Sequence, residues 1–94
     1  MYNLTVMFGS FDSIMFKIEQ KRNDKTKLLY LSDGYDNNKQ GHERLLNELN
    51  EVINEWKLTY KNTDFIEWFK KGHKSEYQKI YKEVIELVIK KRII

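Results

Sequence analysis

Ninety-four residues, 33% charged and 40% apolar, suffice for one small hydrophobic core, and the expected organisation is a single compact α+β domain over 1–94. The absence of cysteine excludes a disulfide framework, a thiolate zinc site and a cysteine nucleophile, leaving stability to packing by two tryptophans, six tyrosines and five phenylalanines. The net charge of +3 is uneven, with six basic and five acidic residues in 1–39, one and four in 40–56, and ten and five in 57–94.

The opening stretch Met1 to Val6 has no basic segment followed by a long apolar run, and no apolar cluster reaches bilayer length. A cytoplasmic protein with no membrane partner is expected. Tyr2, Leu4, Val6 and Phe8 alternate with Asn3, Thr5 and Met7, the two-residue period of a strand with one face buried. Gly9-Ser10 and Asp12 supply turn chemistry. Ile14, Phe16 and Ile18 then alternate with Met15, Lys17 and Glu19, and this strand is fully polar by Lys21-Arg22, before a turn at Asn23-Asp24. A third strand, Lys27 to Ser32, stops at Asp33-Gly34.

Beyond Gln40 the period becomes about 3.6. Leu45, Leu46, Leu49, Val52, Ile53, Trp56 and Tyr60 fall on one stripe, which predicts a helix through Tyr60 with Leu58 off the stripe. Asp64 with Glu67 has the form of a capping box and Gly72 that of a helix stop, predicting a short helix. Ser75 with Gln78 repeats the pattern before a helix whose face holds Tyr77, Ile80, Tyr81, Val84, Leu87 and Val88, widened by Ile85 and Ile89. The expected fold is therefore a three-stranded antiparallel meander (about 2–8, 13–21 and 27–32) followed by three helices (about 40–60, 64–71 and 75–92), order βββααα.

Four groups could carry chemistry. The turn Lys70-Lys71-Gly72-His73-Lys74-Ser75, with Lys79 after it, joins lysines to a helix start and would suit phosphate, although glycine and serine also punctuate helices in this way. Asp33-Gly34-Tyr35-Asp36-Asn37-Asn38 is rich in oxygen ligands but lacks the alternation and distal glutamate of a calcium loop, so no metal is assigned. Arg44, Glu48, Glu51 and Glu55 share one helix flank, which could dock a basic partner or imitate a phosphate backbone, or be a solvated face with Arg44 and Glu48 paired. Phe65, Trp68 and Phe69, with Ile66 beside them, could anchor a partner or fill the core. His42 and His73 lie in no catalytic motif, and no cofactor is expected.

Three strands followed by helices, in a small proline-free and cysteine-free chain, resemble in architecture and composition the small proteins with which phages and mobile elements block host defence enzymes, anti-CRISPR proteins among them. That resemblance implies a non-enzymatic inhibitor acting stoichiometrically on a host protein of a nucleic-acid-processing complex. The contact residues expected for such a binder are Glu48, Glu51, Glu55, Ile66 and Trp68. Two other readings compete: RNA or DNA binding through Lys70, Lys71, His73, Lys74 and Lys79, and a homodimeric structural protein joined through Ile85 and Ile89 of the last helix with Ile93 and Ile94 after it.

Overall fold

The computed structural model describes residues 1–8, 11, 13–67 and 75–87. Its elements run β1 (Tyr2–Phe8), β2 (Ser13–Arg22), β3 (Lys25–Leu31), β4 (Tyr35–Asp36), α1 (Lys39–Trp56), β5 (Thr63–Glu67) and α2 (Ser75–Ile85). The expected meander followed by three helices is thereby corrected. The described strands form one mixed five-stranded sheet, ordered β3-β2-β1-β5 with β4 also on β2, and the described helices are one long and one shorter.

β1 and β2 are antiparallel, with Leu4 opposite Ile18 and Val6 opposite Phe16, so the alternating apolar residues of both strands fall on one face. Asn23 and Asp24 both take positive φ (48° and 64°) between β2 and β3. This is the backbone of a type I′ turn, whose twist matches that of the strands it joins. Leu29 is the extra residue of a bulge, since Glu19 pairs with Leu28 while the next position, Ile18, pairs with Tyr30. The bulge changes the phase, turning Tyr30 toward the core while Leu28 and Leu31 are half exposed. Past β3, the Phe16 amide donates to Ser32 Oγ (2.9 Å) and the Ser32 amide to the Phe16 carbonyl (2.9 Å), which bridges the gap along β2 between β3 and β4.

The largest correction concerns 64–71. Thr63–Glu67 is a strand lying parallel to β1, with Phe65 opposite Leu4 and Ile66 opposite Thr5, in place of a helix. A run of five residues whose two apolar members, Phe65 and Ile66, are adjacent fixes neither period, and an open edge of β1 decides the matter by satisfying its backbone groups. Residues 68–71 of the expected helix lie outside the described residues.

α1 starts at an Asn38 cap, whose side chain accepts from the Gly41 amide at 2.8 Å. It ends four residues earlier than expected, because Lys57 turns left-handed (φ 54°, ψ 47°) and the Leu58 amide closes back on the Ile53 carbonyl at 3.1 Å. That reversal exchanges the two residues the stripe had sorted. Leu58 is fully buried (0%) and Tyr60 is exposed (46%), and residues 57–60 are neither helix nor strand. Asn62 then holds the loop, its Oδ1 accepting from the Thr59 amide (2.8 Å) and its Nδ2 donating to the Lys57 carbonyl (3.1 Å). Since a lysine in the left-handed region is strained where glycine is not, Lys57→Gly should raise stability by roughly 0.5–1 kcal/mol in chemical denaturation. A loss of stability would show that the Lys57 side chain contributes more than its backbone strain removes.

The core lies between the sheet and the helices. Leu4, Val6, Ile14, Phe16 and Ile18 of the sheet meet Leu45, Leu49, Val52 and Ile53 of α1, with Leu58 and, from α2, Ile80 and Val84. An aromatic chain closes one end. Phe16 stacks on Tyr30 (centroids 5.6 Å apart), Tyr30 meets Trp56 edge-on (5.9 Å), and Trp56 packs on Tyr2 (5.8 Å). Residues 88–92 of the expected last helix lie outside the described residues. No helix among the described residues is long and apolar enough to cross a membrane.

Candidate functional site

The bulge in β3 and the bridging Ser32 bring the β3–β4 connection against the flank of α1, and Glu48 sits where they meet. Its carboxylate accepts from the Tyr30 hydroxyl at Oε2 (2.6 Å), and at Oε1 from the Tyr35 hydroxyl (2.5 Å) and the Asp33 amide (3.3 Å). Sequence spacing pairs Glu48 with Arg44, but its hydrogen-bond partners are these three groups from the sheet side. Bonds of this kind to a carboxylate are short and strong, because the acceptor carries a full charge.

The two tyrosines feel that charge. The hydrogen bond to Glu48 holds the Tyr30 proton far above the ordinary phenol range, with burial and the charges of Glu48 and Asp33 adding to the effect. Tyr35 is pushed up to about 12, again first by its bond to Glu48, then by burial and by the carboxylates nearby. Both phenols are therefore neutral donors at physiological pH, and Glu48 spends its acceptor capacity inside the fold.

Around this anchor lies a cleft of about 580 Å³ lined by Tyr30, Leu31, Asp33, Tyr35, Arg44, Asn47, Glu48 and Glu51. Three carboxylates face one guanidinium there, with Asp33 and Glu51 exposed. The opposite flank of α1 is acidic as well. Glu43, Glu83 and Glu86 line a depression of about 460 Å³ between α1 and α2. Asn37, Asn38, Lys39, His42, Glu43, Lys79 and Glu83 line another of about 430 Å³, where His42 Nε2 lies 2.7 Å from Asn37 Oδ1.

Of the expected protein-contact residues, Glu48 and Glu51 share the cleft, while Glu55 is exposed further along α1. The helix meant to carry Ile66 is replaced by β5, where Ile66 is paired to Thr5, and Trp68 lies outside the described residues. Phe65 packs against the core from β5, and Phe69 is likewise outside. Of the expected nucleic-acid-contact residues, Lys79 is exposed on α2, while Lys70, Lys71, His73 and Lys74 lie outside the described residues, as do Ile89, Ile93 and Ile94 of the dimer reading. The Asp33–Asn38 stretch becomes β4 and the α1 cap, and no grouping of His, Asp and Glu fit for a metal ion occurs among the described residues.

Spacing could not reveal that Tyr30, Asp33 and Tyr35 converge on Glu48. The available signal was the unbroken apolar run Leu28-Leu29-Tyr30-Leu31, which no regular strand can place on one face. Comparison with protein-family models, with curated proteins and with solved structures gives no match.

Proposed function

We propose that this protein is a non-enzymatic binding protein that docks stoichiometrically onto a cationic surface of a partner protein through the acidic cleft beside α1. The observation that carries this reading is the convergence of Asp33, Glu48 and Glu51 on one cleft against the single cation Arg44. Glu48 sets the shape of the cleft through its two tyrosines, and the exposed Asp33, Glu51 and Glu55 make the contact. Carboxylates in a row offer arginine and lysine what phosphates offer them, so proteins that handle nucleic acid are the partner class with the matching surface. Covering that surface would inhibit the partner, the action expected of a phage or mobile-element product on a host nucleic-acid-processing protein. Support for the reading comes from the carboxylates; the order of strands before helices no longer contributes.

The test is titration with an arginine-rich peptide, followed by fluorescence anisotropy. Glu51→Lys/Glu55→Lys should weaken binding about tenfold or more, because both substitutions place a like charge against the peptide. The variant should keep the thermal stability of the parent, since both side chains are exposed. Equal affinity of parent and variant would remove the acidic contact from consideration.

A further inference from the structure

The β2–β3 hairpin runs past the rest of the sheet. β1 accompanies β2 only as far as Gln20, which pairs with Tyr2, and from Lys21 to Leu28 every residue is exposed. This segment carries Lys21, Arg22, Lys25 and Lys27 against one carboxylate, Asp24. The ladder sorts them by face. Gln20 is opposite Lys27 and Arg22 opposite Lys25, while Lys21 is opposite Thr26. Directly opposed residues share a face and alternate along each strand, so Arg22, Lys25 and Lys27 project from one side, roughly 5–8 Å apart.

Like charges directly opposed across a ladder weaken a hairpin. A lysine on an open edge guards against unwanted strand pairing, but that duty needs no second cation facing it. The Arg22–Lys25 pair therefore stands against the stability of its own element. Asn23 and Asp24, both at positive φ, keep the ribbon a single twisted unit that holds these cations outward.

We infer that the protruding β2–β3 ribbon, through Arg22, Lys25 and Lys27, contacts the phosphate backbone of a nucleic-acid duplex. A two-stranded ribbon has the width that a major groove admits. Within the protruding segment, Lys21 to Leu28, the cationic face carries no aromatic ring on which a single strand would stack and no apolar side chain to enter a membrane or anchor a protein interface. The surface is separate from the acidic cleft and from the lysines of α2, so it stands or falls independently of the proposed function.

The experiment is fluorescence anisotropy with labelled DNA and RNA duplexes across a salt series. The parent chain should bind at low salt, with log affinity falling against log salt at a slope of about −2 to −3, as three neutralised phosphates require. Arg22→Gln/Lys25→Gln/Lys27→Gln should weaken binding at least tenfold and flatten the slope. Its melting temperature should be equal or higher, because the opposed charges are gone. Lys25→Gln alone should reduce the slope by about one. Lys79→Gln/Lys82→Gln on α2 should bind as the parent does. The inference is overturned by no binding at low salt, by full binding in the triple variant, by loss confined to the α2 variant, or by tighter binding to polyglutamate or anionic vesicles than to duplexes.

Discussion

Gly41→Ala is expected to destabilise the fold by about 3 kcal/mol or more, although alanine is the better helix former by about 1 kcal/mol. The reason is the way β4 runs into α1. A Cβ on Gly41 would lie 1.7 Å from the Asp36 carbonyl oxygen and 2.7 Å from its carbon, and both are backbone atoms of β4. That oxygen also accepts from the Asn38 amide at 2.9 Å, and the Asn38 side chain caps the helix through the Gly41 amide. Relieving the clash would pull the cap from the helix or β4 from β2. Thermal denaturation should show a fall in Tm of roughly 10–20 °C for a chain of this size. Gly34→Ala is the control, because its Cβ would meet Ser13 Oγ at 3.4 Å, an ordinary contact. A Gly41→Ala variant as stable as the parent would mean that β4 and the start of α1 move freely apart.

Glu48→Ala should cost about 3–4 kcal/mol, since it removes the acceptor of two phenolic hydroxyls, each charge-assisted bond contributing roughly 1.5–3 kcal/mol without full additivity. Glu48→Gln keeps the shape, loses the charge and should fall between. The two tyrosines also make a test by pH. In the folded chain the Tyr35 proton is held to about 12, against an ordinary value of 10.0, and Tyr30 is held higher still. Above pH 10 the unfolded chain releases these protons first, so it binds fewer protons than the folded one and stability falls as pH rises. The stabilisation is complete below pH 10 and drains away between 10 and 12 for Tyr35, with Tyr30 extending the loss. Melting curves from pH 8 to 12 should show this alkaline decline in the parent and a shallower one in Glu48→Gln. Identical slopes would detach the tyrosines from Glu48.

The assignment of Glu48 shows how far a sequence carries and where it stops. Periodicity places Glu48 on the flank of α1 with Glu51 and Glu55, and the α1 stripe from Leu45 to Trp56 is real. What periodicity cannot supply is the element that arrives from elsewhere in the chain to use that flank. Tyr30 and Tyr35 are eighteen and thirteen positions away, and they reach Glu48 because a bulge rotates one and Ser32 positions the strand of the other. The same limit explains β5. Asp64 and Glu67 carry the local mark of a helix start, while the evidence for a strand lies in β1, about sixty residues earlier in the chain. The end of α1 was hidden for a different reason. Lys57 takes the left-handed cap that glycine usually marks, so Leu58 and Tyr60 changed places without any signal in the composition.

The parallel pairing of β1 with β5 also sets a timetable for synthesis. A ribosome makes β1 first and has to add about sixty more residues before Thr63–Glu67 exists, several seconds at roughly 5–20 residues per second. During that interval the nascent chain can pair β1 with β2 and β2 with β3, but β1 shows one bare row of amides and carbonyls to the crowded exit site. The sheet closes only once translation has delivered its last described strand, and a chain stalled before Thr63 would leave the ribosome with its central strand open to any passing partner.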